Sequence, residues 1–295
     1  MLTDEELELL TQAGKITAQA REYGRELLVK GASVLDVTKK VEAKIRELGG
    51  EPAFPAQISN NDTAAHDCAT FEDPRALCSG DLVKLDLGAH CEGFLGDTAV
   101  TVNLGEHATL VKAAEEALKA ALELVKPGAP VAVIGATIEQ TIKDAGYIPV
   151  RNLSGHGLEQ WGVHMPPTIP NFDTGDSTVL EEGMMIAIEP FATDGAGLIG
   201  EKGQAEVFDL LMHKGVRTGF VRDILSYIET YNDMPFCRRW LAQEFGIAKT
   251  NFALQELTRL GMLNSYEPLV ERNNGLVAQA EHSVYVLDTP IILTK

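Results

Sequence analysis

An α+β fold of two related halves, interrupted late in the chain by a helical insert, is what the sequence predicts. Three observations carry that expectation. Two helical patterns followed by extended chain occur twice across the first two-thirds of the sequence, the mark of a weak internal duplication. Strand-like runs do not alternate one by one with helices, which disfavours a doubly wound parallel sheet. From 207 to 270 the texture changes to short helical patterns before extended chain returns. The main domain is therefore expected over 1–206 and 271–295, with a winged-helix-like insert over 207–270.

Thr3 and Glu6 form a capping-box pattern, and Leu7, Leu10, Ile16, Ala20, Tyr23 and Leu27 suit one face of a long helix. A second helix begins after Ser33, with Val37, Val41, Ile45 and Leu48 at steps of three or four, and Gly49-Gly50 caps it. EPAFPAQIS is extended. Between Lys84 and Val102, KLDLGAHCEGFLGDTAVTV reads as a hairpin: Val83, Leu85 and Leu87 alternate with Lys84 and Asp86, and a turn around Gly93 leads into the second strand. Each strand carries one aspartate, Asp86 and Asp97. Another helix pair follows, one over 108–126 closed by Pro127-Gly128, and one after Pro130 carrying Ile134, Ile138 and Ile142. YIPVRNL and MMIAIEPF are extended. In the insert, FVRDILSYIETY, CRRWLAQEF and NFALQELTRL read as helices. LVERNNGLVAQAEHSVYVL reads as strand, an Asn274-Gly275 turn and strand, a wing that closes the insert.

A formal charge of -18 argues against a nonspecific grip on nucleic acid or anionic membrane and favours small molecules or peptides as partners. The opening MLTDEELELL resembles no secretory or mitochondrial signal, and the longest apolar stretch, GMMIAI, is far too short to span a bilayer. A cytoplasmic monomer is expected. Cys68, Cys78, Cys91 and Cys237 show no metal-binding or disulfide-scaffold spacing and read as free thiols.

Five residues interrupt or end apolar runs with groups able to do chemistry: Asp86, Asp97, His156 in SGHG, Glu189 in IAIEPF, and Glu281 in AQAEHS. Taken singly, each such residue is more often a salt-bridged or hydrogen-bonded core group than a ligand. If they converge, each pair of carboxylates about 4 Å apart repels by roughly 4 kcal/mol at an effective dielectric of about 20. Protons or cations must then neutralise the charge, and two divalent metals would match four carboxylates. One imidazole with four carboxylates suits manganese, iron(II), cobalt or zinc better than copper, without choosing among them. His66, His164 and His282 are further titratable groups.

KLDLGAHCEGFLGDTAVTV, NLSGHGLEQWGVHMPPTIPN, EEGMMIAIEPF and VAQAEHSV occur in the order and spacing of the methionine aminopeptidases, so the chain resembles that family over nearly its whole length. MPFCRRWL and GMLNSYEPL resemble the insert of its type II subgroup. The resemblance implies a pita-bread fold with pseudo-twofold halves and two divalent metal ions. Asp86 would chelate one metal, Asp97 and Glu281 would bridge both, and His156 and Glu189 would complete the other. His66, in an AAH segment, would line the substrate pocket and orient the substrate, and His164 would face the scissile amide. Phe54, Phe191 and Tyr266 fall where the family places walls of the methionine side-chain pocket. Two positions depart from its pattern: Asp67 stands where tyrosine is usual, and Ala280 where phenylalanine is usual.

The implied reaction is hydrolytic removal of the initiator methionine from nascent polypeptides with small second residues. Glu189 would shuttle the proton, and His164 would stabilise the tetrahedral oxyanion or the amide. This chain, beginning Met-Leu, should then keep its own methionine. A proline-directed peptidase of the same fold is the rival enzyme reading. A non-enzymatic scaffold is the rival of another class, although Arg238-Arg239 is a meagre basic patch and no strong nucleic-acid binding is expected. Ribosome association stays open.

Overall fold

The computed structural model describes residues 1–295. Helices α1 (Asp4–Leu27) and α2 (Val34–Glu47) begin where their caps predict. Glu6 N donates to Thr3 Oγ1 at 3.3 Å while Thr3 N donates to Glu6 Oε2 at 2.7 Å, and Asp36 N donates to Ser33 Oγ. Each cap contributes about 1 kcal/mol. Both helices cover one face of an antiparallel sheet of Glu51–Asn60, Leu82–Cys91 and Phe94–Asn103. Ile16, Ala20, Val41 and Ile45 interlock there with Ile58, Val83, Leu85 and Leu87.

The hairpin turns on Glu92 and Gly93, both at positive φ (49° and 84°), as a two-residue turn between twisted strands requires. A side chain at 93 would also enter the Trp161 ring. The polar face of the hairpin is not solvated. Lys84 and Asp97 are buried as completely as the leucines beside them, because the second half of the chain packs over that face.

Helices α3 (Ala108–Leu122) and α4 (Val131–Asp144) repeat the arrangement against a second sheet. Its strands run Ile291–Ile292, His282–Tyr285, Met185–Ile188, Ser154–Glu159 and Gly162–Pro170. Ala114, Ala117, Ile134, Ile138 and Ile142 meet Ile186, Ile188 and Val284 in the interior, each fully buried aliphatic side chain contributing about 1.5–3 kcal/mol. The halves are stitched along one line: Glu281 N donates to Ala99 O, Asp97 N to Ser283 Oγ, and the Thr98 and Thr101 hydroxyls to the carbonyls of Glu281 and Gln279.

The segment from 207 onward forms its own three-stranded sheet, Phe236–Cys237, Val207–Leu210 and Leu263–Tyr266, with helices α5 (Gly219–Ile228), α6 (Arg238–Phe245) and α7 (Ile247–Arg259) around it. It is tied to α2 by a buried ion pair. Both Arg239 terminal nitrogens donate to Glu42, at 3.0 and 2.6 Å, and Trp240 Nε1 adds a third bond at 3.0 Å.

The wing expected around Asn274-Gly275 is absent. Leu269–Glu271 pairs between Ile199–Glu201 and Thr63–Ala65, whereas Val277–Gln279 joins a different sheet beside Phe191–Thr193. The cause is Glu271, whose buried carboxylate accepts from the backbone N–H groups of Ala196, Gly197, Asn273 and Gly275. Chain that reads as a hairpin loop instead wraps a side chain. Finally, no helix is long and apolar enough to cross a membrane, and the four cysteines form no disulfide.

Candidate metal centre and substrate cavity

The hairpin register decides where its aspartates go. Asp86 lies opposite Ala99 and Asp97 opposite Gly88, so the two are diagonal neighbours on one face. The Glu281–Ala99 backbone bond delivers Glu281 to the same face. His156 comes from Ser154–Glu159, where Gly155 and Gly157 let the backbone pass against the carbonyls of Ala187 and Pro166; a Cβ at either would collide with them. Glu189 follows the Met185–Ile188 strand, its carbonyl held by the Asn171 amide.

All five line one cavity of about 390 Å³, together with His66, His164, Phe54, Phe191 and Tyr266, so the ten residues singled out in the sequence meet in one place. One ligand atom each from Asp97, His156 and Glu281 lies within 4.8 Å of the others. His156 Nε2 is 3.7 Å from both Asp97 Oδ2 and Glu189 Oε1. Its Nδ1 lies 3.0 Å from the Gly157 carbonyl, a contact an N–H makes, which leaves the Nε2 lone pair facing the carboxylates.

Burial dominates the electrostatics. It raises Asp86 to about 7, against a bond from Gln279 that lowers it. Asp97, Glu189 and Glu281 are pushed well above the usual carboxylate range, first by burial and then by neighbouring carboxylates: Asp86 acts on Asp97, Asp86 and Asp97 on Glu189, and all three on Glu281. Burial holds His156 down to about 3, and His66 to about 4, so both imidazoles are neutral. His164 is reachable by water yet enclosed by the cavity walls, and this desolvation lowers its pKa too.

The donor set fits divalent cations. Four carboxylates crowd a space with no cationic side chain among the residues lining it, Asp86 Oδ1 is buried without a partner, and a neutral imidazole nitrogen points inward.

On the other side, the His156 and His164 rings meet edge-on with centroids 4.7 Å apart, and Tyr266 stands 5.9 Å from His164 and 5.3 Å from His66. His66 adopts a left-handed backbone (φ 63°), its N–H held by Gln57 Oε1 at 2.7 Å. A non-glycine residue held there costs about 1–3 kcal/mol, and such strain concentrates at functional sites.

Neither departure from the family pattern lines the cavity. Asp67 turns onto Arg75 at 2.6 Å, which also grips Asp73, and it does not line the cavity. Ala280 borders a separate groove of about 930 Å³ with Arg21, Lys119 and His282. Sequence reasoning missed Gln279, whose Nε2 lies 3.3 Å from both Asp86 Oδ2 and Glu189 Oε2. The signal was there, since Gln279 precedes Glu281 by two residues in extended chain and so shares its side. Gln57 and Asn171 carried no such signal.

Comparison with known proteins agrees with this geometry. Residues 8–220 match the model of metallopeptidase family M24. The methionine aminopeptidase of Archaeoglobus fulgidus is 45% identical over 294 residues, 99% of each chain, and that of Pyrococcus horikoshii is 39% identical over 98% of this chain and 99% of the other. Among solved structures, the methionine aminopeptidase of Thermotoga maritima superposes with a TM-score of 0.73 at 25% identity, covering 100% of this chain and 98% of the other. A prolidase from Pyrococcus furiosus shares the fold, with a TM-score of 0.64 at 23% identity, covering 99% of this chain and 64% of its own. The fold is thus that of the pita-bread metallopeptidases. Within that class, the chain belongs to metallopeptidase family M24, in its methionine aminopeptidase branch.

Proposed function

We propose that the chain removes the initiator methionine from nascent polypeptides with small second residues, acting as a cytoplasmic monomer of the type II subgroup, with 207–270 as that subgroup's insert. The convergence of four carboxylates, Asp97 and Glu281 buried and Asp86 and Glu189 partly so, with a neutral imidazole beside a cavity with aromatic walls carries this reading. Asp86, Asp97, His156, Glu189 and Glu281 would hold two divalent ions. The chemistry supplied by such ions is polarisation of the scissile carbonyl and activation of water at neutral pH.

The protein's own groups do the rest. Glu189, which would be ionised where cations offset the crowding of the other carboxylates, accepts a proton from the attacking water and passes it to the leaving amine. His164, whose ring meets that of His156 edge-on, donates a hydrogen bond to the developing oxyanion or the amide. His66, held by Gln57, orients the peptide, and Phe54, Phe191 and Tyr266 receive the methionine side chain. A cavity of this size, part apolar with a few convergent polar groups, suits one such residue.

The test is turnover of Met-Ala-Ser against an Xaa-Pro peptide by metal-stripped protein reloaded with manganese, iron(II), cobalt or zinc in turn. Release of methionine with at least one ion is expected. Inactivity with every ion, or preference for the Xaa-Pro peptide, overturns the reading.

A further inference from the structure

A residue pair in the 207–266 segment borders the cavity through one of its members, Tyr266. Val207–Leu210 and Leu263–Tyr266 run antiparallel with Val207 opposite Tyr266 and Asp209 opposite Asn264. Asp209 and Tyr266 are therefore diagonal neighbours on one sheet face, the face on which Val207 lines the cavity. The Tyr266 hydroxyl donates to Asp209 Oδ2, while Asp209 Oδ1 is buried with no partner. The tyrosine ring in turn meets His66 edge-on, at an interplanar angle of 85°, and flanks His164. His66 Nδ1 is buried without a hydrogen bond, so no polar tether at that atom fixes the ring.

We propose that Asp209 is a positioning residue for the reaction: it fixes the Tyr266 ring, and the ring fixes the orientation of His66 and His164 on the substrate side of the cavity. The inference rests on the peptidase reading above. Its physical content is the hydroxyl–carboxylate bond, which is about twice as strong as a neutral one and lies where both groups are half-buried. Without it, the phenol is held by packing alone and can turn away from both imidazoles. The outer segment then sets active-site geometry although it contributes none of the five proposed metal ligands.

The experiment uses the metal-loaded protein and Met-Ala-Ser, with kcat and KM measured for wild type, Asp209→Asn, Asp209→Leu, Tyr266→Phe and the Asp209→Leu/Tyr266→Phe double variant. Asp209→Leu is expected to lose about ten-fold in kcat/KM, mainly through KM, the equivalent of one charge-assisted hydrogen bond. Asp209→Asn keeps an acceptor and recovers most of that loss. In the double variant the two losses do not multiply, because each single change breaks the same bond. Ring-flip rates of labelled Tyr266, read by NMR, rise in Asp209→Leu and stay slow in Asp209→Asn. Wild-type kinetics in Asp209→Leu, multiplying losses in the double variant, or an unchanged flip rate overturn the proposal. A wild type inactive on Met-Ala-Ser overturns the peptidase reading and, with it, any part of the clamp in catalysis; the flip rates still show whether the clamp itself exists.

Discussion

Asp86 and Asp97 stand diagonally across a two-residue turn, Asp86 opposite Ala99 and Asp97 opposite Gly88, so the strand backbone fixes their separation. A pair set this way is rigid because moving either aspartate means breaking ladder hydrogen bonds. Replacing either by asparagine should lower the metal bound per chain, measured by elemental analysis, and cut kcat by on the order of a hundred-fold or more while the far-UV spectrum is unchanged. Full metal content in both variants would refute their role as ligands.

Gln279 touches Asp86 and Glu189 at once and orients both carboxylates. Gln279→Leu should weaken metal binding by about 10–100-fold, the usual effect of losing a group that orients ligands. Calorimetric titration of the stripped protein with manganese checks this. An unchanged dissociation constant would leave Gln279 a plain core residue.

Stripping the metal should make stability fall as pH rises. Asp86 titrates at about 7 in the fold against 3.8 as its ordinary value, and Asp97, Glu189 and Glu281 shift in the same direction. These four groups therefore hold more protons in the native state than in the unfolded one, so the stability they contribute is fullest below about 4 and is lost as pH rises through about 7 and beyond, while the neutral His66 and His156 act in the opposite sense below about 6.5. Urea midpoints of the stripped protein at about pH 7 and 8.5, where unfolded histidine is already mostly neutral, read the carboxylates, and bound metal should flatten the slope. A midpoint that rises with pH would contradict the crowded carboxylates.

Glu42 is 3% exposed and Arg239 1% exposed, so neither can turn to water. Glu42→Ala should destabilise the protein by about 3–5 kcal/mol, the cost of a buried charge without its partner. Chemical denaturation checks the figure. A loss below about 1 kcal/mol would show that the guanidinium finds another partner or reaches solvent.

Much of this was legible in the sequence because local chemistry and tertiary role agree. Thr3 and Ser33 cap the helices their spacing announces, and the alternation around Asp86 gives the hairpin its faces. The ligands stood out as charges inside apolar runs. What escaped depends on partners far along the chain. Nothing near Glu271 reveals that it accepts the N–H of Ala196, and so the wing was misplaced. Gln57 sits in a strand like any other polar residue, and only the left-handed turn at His66 gives it a purpose. Asp209 likewise looks like an ordinary strand residue until Tyr266 is brought diagonally beside it.

The Glu42–Arg239 pair also makes two distant stretches of the chain depend on each other. Cutting out 207–266 would strand the Glu42 carboxylate without its cation, and replacing Glu42 alone would strand the Arg239 guanidinium without its anion. Neither stretch can be exchanged singly, so a graft that swaps the outer segment has to bring its own matching residue for position 42.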